Sequence, residues 1–419
     1  MGDVVVTLDG TDVSDVSVEG SWTRRLNRPS QAQVRIPMQE FQADVGTILK
    51  IEALVGTTFE IVFHGRVLLK ETDAGEDSGY TVYNAEDPME MWQWRPVRDD
   101  DCDFTLPQII DDYVTGPQIV EAMLLNSEGE GGCCSGCTDC EDTDAEFCEG
   151  DLFLDYGTFE GSGVSLLGAP ADWPMTMAQL FSLLVSTGCL DVVITPTDPG
   201  GGVMGEVNGY NGDYGSDLSG SVNFEYGTGA FNMRGFRLNQ DMTIMSNKLW
   251  YYMGPRIQTP SDPAGNQHWC FNVTGDDPNL PDPIPNGETL ATLLANRLTS
   301  RSTYGTRMDL QIFDAAECPP GGGDTDCCGK TAAASLYREL WRNRWETESW
   351  IRYQPRDLIH ITPTRESEIG TFDIGDLVGL DIPVMSVSGA QRVYTYTVAW
   401  DNDGVLALQE LQTSPTADG

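Results

Sequence analysis

Leu49-Lys50-Ile51-Glu52-Ala53-Leu54-Val55-Gly56-Thr57-Thr58-Phe59-Glu60-Ile61-Val62-Phe63 places Leu49, Ile51, Ala53 and Val55 on one face of an extended segment, and Phe59, Ile61 and Phe63 on one face of the next. The same alternation continues on both sides. Val4-Val5-Val6-Thr7-Leu8 leads into the turn signal Asp9-Gly10, and Val34 and Ile36 alternate with Gln33 and Arg35 ahead of Pro37. Tyr80 to Tyr83 supplies another short strand, after which Asp87-Pro88 opens an aromatic segment containing Trp92 and Trp94. Short strands spaced this closely predict an antiparallel barrel or sandwich over residues 1–95.

From Asp99 to Met233 the chain runs for 135 residues without a Lys, Arg or His and carries 25 Asp and Glu. Uncompensated like charge opposes the compact state, so a partner outside the segment must tolerate or use it. The whole chain of 419 residues has a formal net charge of −41, which argues against affinity for nucleic acid, because phosphate binding needs cationic surface. Twenty of the 24 basic residues are Arg, suited to planar, bidentate carboxylate pairing. The start Met1-Gly2-Asp3-Val4 has neither the basic nor the apolar region of a secretory signal, and the apolar passage Leu180–Ile194 is broken by Gly188 and Asp191. The expectation is a chain made in a cytoplasm with no stable membrane insertion.

Within the acidic stretch, Ile109, Ile110 and Tyr113 recur at helical spacing. So do Ile119, Val120, Met123 and Leu124 after Gly116-Pro117, and Met177, Leu180, Phe181, Leu184 and Val185 after Pro174. Cys189–Ile194 reads as a strand after that helix. The stretch 129–151 carries too little apolar surface to fold unaided, and the Gly, Asn and Asp tract 200–220 reads as a second long loop. Strand patterns return at Val222–Tyr226, Phe231–Leu238 and Met242–Met253, and again at Leu358–Ile361, Phe372–Ile382, Arg392–Trp400 and Val405–Leu411. Two helices interrupt them, one from Asn286 with Leu290, Leu293, Leu294 and Leu298, the other over 331–348. Asp401-Asn402-Asp403-Gly404 reads as a hairpin turn. The expected fold is mainly β with α/β insertions. Residues 1–95 form a first barrel, 96–220 an acidic α/β insertion with a Cys-rich loop, 221–258 with 349–419 a second barrel, and 259–348 a second insertion with two helices.

Four cysteines, Cys133, Cys134, Cys137 and Cys140, lie within eight residues, with Cys148 following and Cys318, Cys327 and Cys328 in a second loop. The spacing of Cys134, Cys137, Cys140 and Cys148 lets thiolates converge on zinc or an iron–sulfur cluster. The competing readings are disulfides that join the two loops and unremarkable thiols. Cys102, Cys189 and Cys270 read as isolated thiols. Asn211, Asp213 and Asp217 offer calcium-type oxygens at alternate positions, without the bidentate Glu of a complete loop. The three imidazoles, His64, His268 and His360, belong to no catalytic motif, and carboxylates are too abundant for any pair to point to a glycosidase. Arg338, Arg342, Arg344, Arg352, Arg356 and Arg365 are interleaved with Trp341, Trp345, Trp350 and Tyr353, a pattern that can bind single-stranded nucleic acid. The acidic chain as a whole would repel it, so the expected role is ion pairing to acidic surface of the same or a neighbouring copy.

Together these pieces resemble the tail-tip or baseplate hub of tailed bacteriophages, in particular minor tail proteins of siphophages infecting actinobacteria. The resemblance rests on Trp22-Thr-Arg-Arg-Leu-Asn-Arg-Pro-Ser-Gln-Ala-Gln-Val-Arg-Ile-Pro37, Pro174-Met-Thr-Met-Ala-Gln-Leu-Phe181, Asn211-Gly-Asp-Tyr-Gly-Ser-Asp-Leu218, Asn247-Lys-Leu-Trp-Tyr-Tyr-Met-Gly-Pro255 and Phe372-Asp-Ile-Gly-Asp-Leu-Val378. It implies two tube-type β-barrels per chain and a homotrimer forming a pseudo-sixfold ring in the virion tail. That ring would join the hexameric tail tube to the trimeric tip and let DNA pass without binding it specifically. The implied partners are a distal tail or tube protein, the tape measure and a central fibre. No reaction is implied, and if Phe372–Leu377 is a barrel strand at a subunit contact, Ile374→Asp should block assembly. The Cys-rich loop is no general hub feature. Rival readings are a tail-associated cell-wall hydrolase and a calcium-dependent adhesin.

Overall fold

A computed structural model describes residues 3–17, 19–74, 79–95, 114–128, 153–161, 165–166, 176–186, 190–212, 214–227, 232–241, 248–253, 271–273, 299–305, 308–313, 356–364 and 369–415. The N-terminal half consists of β1 (Val4–Leu8), β2 (Thr11–Asp12), β3 (Glu19–Arg25), β4 (Gln31–Pro37), β5 (Ile48–Val55), β6 (Thr58–Ala74) and β7 (Gly79–Glu86). Asp9 and Gly10 both adopt left-handed backbone, at φ 49° and 73°, as a two-residue hairpin turn between β1 and β2 requires. Leu49, Ile51 and Ala53 are fully buried, as their alternation predicts. Phe59 and Ile61 depart from it. Ile51 pairs with Phe63 but Glu52 with Ile61, so a bulge at Val62 turns Phe59 outward while Phe63 stays in the core.

The acidic stretch contributes β8 (Val114–Thr115), α1 (Gly116–Glu128), β9 (Leu154–Phe159), β10 (Ser165–Leu166), α2 (Met177–Ser186), β11 (Asp191–Pro196) and β12 (Gly205–Tyr210). Ile119, Val120, Met123 and Leu124 of α1 and Met177, Leu180, Phe181 and Leu184 of α2 are the buried faces that the sequence spacing marks. They pack on the small sheet β11-β12-β9 and on Met89 and Trp92, whose indole meets the Phe181 ring edge-on at 5.1 Å. The expected helix at Ile109–Tyr113 lies outside the described residues.

The remainder holds β13 (Asn223–Glu225), β14 (Met233–Asp241), a separate three-stranded ladder of β15 (Lys248–Met253), β16 (Phe271–Val273) and β17 (Met308–Phe313), and then β18 (Arg356–Pro363), β19 (Leu377–Ile382), β20 (Val387–Trp400) and β21 (Leu406–Pro415). Helical backbone is described at residues 299–304, whereas Leu290, Leu293, Leu294, Leu298 and residues 331–348 lie outside the described set. The Asp401–Gly404 turn forms as expected, with Asp401 Oδ1 accepting from the amides of Asp403 and Val405 at 3.1 and 3.2 Å.

No barrel closes among the described residues. Instead a 13-stranded sheet runs β14-β18-β21-β20-β3-β4-β7-β6-β5-β1-β2, with β19 and β13 branching from β20. The long strand β20 makes the join. Its first residues pair with β19, and Thr395–Trp400 pair antiparallel with Gly20–Arg25 of β3. Trp22 and Trp400 stand 6.1 Å apart across this seam, and one apolar core runs from Val4 through Trp22 and Trp400 to Leu411. Among the described residues no helix is long and apolar enough to cross a membrane.

Candidate functional site

The two halves and the acidic insertion meet at a buried polar junction, built on the turn that follows β3. Trp22, Arg24 and Leu26 share the inward face of β3 and its extension, so Arg24 is carried into the interior. Its Nη1 donates to the Ile194 carbonyl of β11 at 3.0 Å and its Nη2 lies 3.5 Å from Asp373 Oδ2. Burial opposes the Arg24 charge, but Asp373 first, with Tyr396 and Asp87, outweighs it and holds the guanidinium protonated. Asn27 takes left-handed backbone at φ 59°. Its Nδ2 donates to Asp191 Oδ1 at 2.9 Å, while its Oδ1 accepts from Val192 N at 2.7 Å.

Asp191 is 2% exposed and is the centre of the junction. Its second oxygen accepts from Arg392 Nη2 of β20 at 2.5 Å and from Tyr214 N at 3.2 Å. The Arg392 fork also reaches the carbonyls of Tyr214, Gly212 and Gly375 at 2.7, 3.2 and 3.3 Å. A planar guanidinium satisfies this fan of acceptors in a way an ammonium cannot. Gly215 and Gly375 lie back to back here, at φ 113° and 85°. A Cβ on Gly215 would stand 2.3 Å from the Gly375 backbone, and one on Gly375 2.5 Å from the Tyr214 carbonyl. Burial, with Asp373 adding to it, pushes the Tyr214 phenol up to about 12, and the fully enclosed Tyr396 phenol is raised well above its ordinary value.

A second set of contacts fastens the insertion to β5 and β6. Lys50 Nζ meets Asp198 Oδ2 at 2.8 Å, His64 Nδ1 donates to the Thr197 carbonyl at 2.6 Å, and the Arg66 guanidinium stacks 3.9 Å from the Phe153 ring. Burial holds the His64 ring below its ordinary value and therefore neutral, which fits a single Nδ1–H donor. Asp87 caps the 3-10 turn Pro88–Gln93 that carries Trp92, accepting from Met89 N at 3.0 Å and from Ser30 N at 2.7 Å. Burial raises its carboxyl to about 6.

These contacts answer part of the charge problem. Bases from outside the acidic stretch, Lys50 and Arg392, reach carboxylates within it. Ile374 is 1% exposed and packs with Leu26 and Val193, so it belongs to the intrachain junction and not to a subunit contact. Phe372–Asp376 is a loop, with β19 beginning at Leu377.

Of the residues singled out from the sequence, Asn211 and Asp217 are otherwise engaged. Asn211 donates through N and Nδ2 to Glu160 Oε2, and Asp217 Oδ1 accepts from Ser219 N and Oγ. Asp213, all of the cysteines, including Cys134, Cys137, Cys140, Cys148, Cys318, Cys327 and Cys328, and the arginines Arg338, Arg342, Arg344 and Arg352 lie outside the described residues. Sequence reasoning missed Arg24, Asn27, Asp191 and Arg392. The one local signal was an arginine at an inward β3 position between Trp22 and Leu26, since a charge on a buried face requires a partner.

A branched, mostly antiparallel sheet spanning both ends of the chain, with an α/β insertion fixed to it by the buried Asp191–Arg392 pair and the more exposed Lys50–Asp198 pair, defines a mainly β protein. No family model matches the chain, and no curated protein sequence matches it. Its fold is shared with the 43 kDa tail protein of prophage MuSo2 from Shewanella oneidensis, at a TM-score of 0.55 and 12% identity, covering 98% of this chain and 97% of that one. The tail protein from Neisseria meningitidis MC58 is similar at a TM-score of 0.53 and 10% identity, with 98% and 96% covered.

Proposed function

We propose that this chain is a structural protein of a phage tail, acting as the hub of the tail tip or baseplate. The carrying observation is a likeness over 98% of the chain to a prophage tail protein. In this reading three copies form a closed ring, each contributing its two sheet-rich halves, so that six related units surround the axis. The ring joins a hexameric tail tube to a trimeric tip, contacts a distal tail or tube protein, the tape measure and a central fibre, and lets DNA through. The halves act as tube-type barrels closed within that ring, and a net charge of −41 keeps the passing polyanion from adhering. The Cys-rich loops are read as disulfide-linked, with zinc or an iron–sulfur cluster as the alternative. Arg338, Arg342, Arg344 and Arg352 are read as inter-subunit ion pairs. The actinobacterial siphophage type stays part of the proposal.

Native mass spectrometry of the purified chain tests it. Three times the 45.9 kDa chain mass is expected. A monomer at all concentrations would remove the ring. Metal analysis of the same sample separates disulfides from a bound metal.

A further inference from the structure

We propose that a groove on the outer face of the sheet, where β3 meets β20, binds a short neutral saccharide. The groove encloses about 510 Å³, within the range of small-molecule sites, and it crosses the seam that fuses the two halves. Strand register builds its floor. Gln33 lies opposite Ser21, Ser21 opposite Ala399, and Ala399 opposite Ala407, so one row of outward side chains runs across β4, β3, β20 and β21. Three of these four side chains are small, and the row is a trough between taller neighbours.

One wall of the trough is a stack. Arg35 donates to Glu19 Oε1 at 2.7 Å and lies 4.0 Å from the centre of the Tyr80 ring, while Asp73 stands opposite Tyr80 in the β6–β7 ladder. On the other side β21 carries an extra residue. Thr397 pairs with Glu410 but Val398 with Leu408, so Gln409 is a bulge residue, and its exposed side chain lines the groove. The Gln33 amide at the end of the row is oriented by donating from Nε2 to Asn84 Oδ1 at 2.8 Å.

The lining selects its ligand by elimination. An anion would face Glu19, Asp73 and Asp401 in a chain of net charge −41. A cation would compete with Arg35, whose charged form Glu19 favours first, with Tyr80 and Asp73 adding to it. The third carboxylate, Asp401, engages Oδ1 with the amides of Asp403 and Val405. A purely apolar ligand would strip water from Gln33, Arg35 and Gln409 without replacing its hydrogen bonds. A neutral molecule rich in hydroxyls meets none of these objections. Amide, carboxylate and guanidinium groups offer donors and acceptors in adjacent pairs, which vicinal hydroxyls match, and Ala399, Ala407 and Val82 give a sugar's C–H face an apolar rest. Every group named belongs to one chain, so the inference stands apart from the ring reading.

Isothermal titration of the full chain with maltotriose and with chitotriose tests the groove. At least one of the two should bind with a dissociation constant of about 1 mM. As a neutral ligand it should bind equally well at about 50 mM and about 500 mM salt. Ala407→Trp fills the floor and should abolish binding, and Gln409→Ala removes an exposed wall amide and should weaken binding several-fold, each with the thermal midpoint of the chain unchanged. Binding that neither variant alters would place the sugar elsewhere and overturn the proposal. So would the absence of binding by both trisaccharides at about 10 mM. Spermidine binding that salt weakens and Asp73→Asn abolishes, with no saccharide bound, would overturn it in favour of a cation site. None of these outcomes depends on whether the chain is monomeric or trimeric.

Discussion

Asp191 and Arg392 lie 201 positions apart in sequence and 2.5 Å apart in space. Both are largely withdrawn from water, with side-chain exposures of 3% and 14%, so removing one partner strands the other charge. Asp191→Ala should cost ~3 kcal/mol, read as a lower thermal midpoint. Arg392→Lys should recover little of that stability, because the ammonium cannot span a carboxylate and three carbonyls. Equal midpoints for Arg392→Lys and the wild type would argue against the fan of acceptors. Asp87 gives a pH signature of known sign. Burial raises its folded value from 3.8 to about 6, so its ionised form costs stability, fully above pH 6 and not at all below about 3.8. That penalty is ~3 kcal/mol at neutral pH. As pH falls from 7 to 4 the wild type should therefore gain stability relative to Asp87→Asn, and a constant gap between their melting curves would contradict the buried charge. Arg392 did not announce itself in the sequence and Asp191 showed only as a break in the apolar passage Leu180–Ile194, because a buried ion pair leaves no periodic trace.

At the scale of elements, apolar periodicity located α1 and α2 almost to the residue, since one buried stripe in a 3.6-residue period suffices to define a helix face. It also found many of the strands, but not β9, β12, β16 or β17, it extended β19 back over the loop Phe372–Asp376, and it gave no strand's neighbours. Alternation tells which side chains point inward and is silent on which strand lies alongside, so the β3–β20 seam that fuses the halves was not legible. The bulge at Val62 defeated the pattern for a related reason, since one extra residue reverses every later side chain on that strand. Trp92 links the first half to the helices through Phe181 and is completely buried. Trp92→Ala should cost ~3–5 kcal/mol, and limited proteolysis should then cut first within 116–210. First cuts elsewhere would show that the helical layer does not depend on this anchor. At the seam, Gly20 leaves room for the Trp400 ring, which a Cβ would meet at 2.2 Å. Gly20→Val should uncouple β3 from β20, seen as two thermal transitions where the wild type has one.

At the scale of the molecule, the charge imbalance that stands out in the sequence is partly resolved within one chain. Lys50 and Arg392 are spent on the insertion, and the junction they build holds sheet and insertion as one scaffold. In the tail-hub reading proposed above, this distribution, sheet-rich at both ends with a net charge of −41, is what keeps a passing polyanion from adhering. The most direct measurement is electron microscopy of the isolated protein at a concentration where it self-associates. End-on class averages should show a hollow collar with threefold symmetry and six peripheral lobes. Solitary protomers, or a closed assembly without a central opening, would contradict the account.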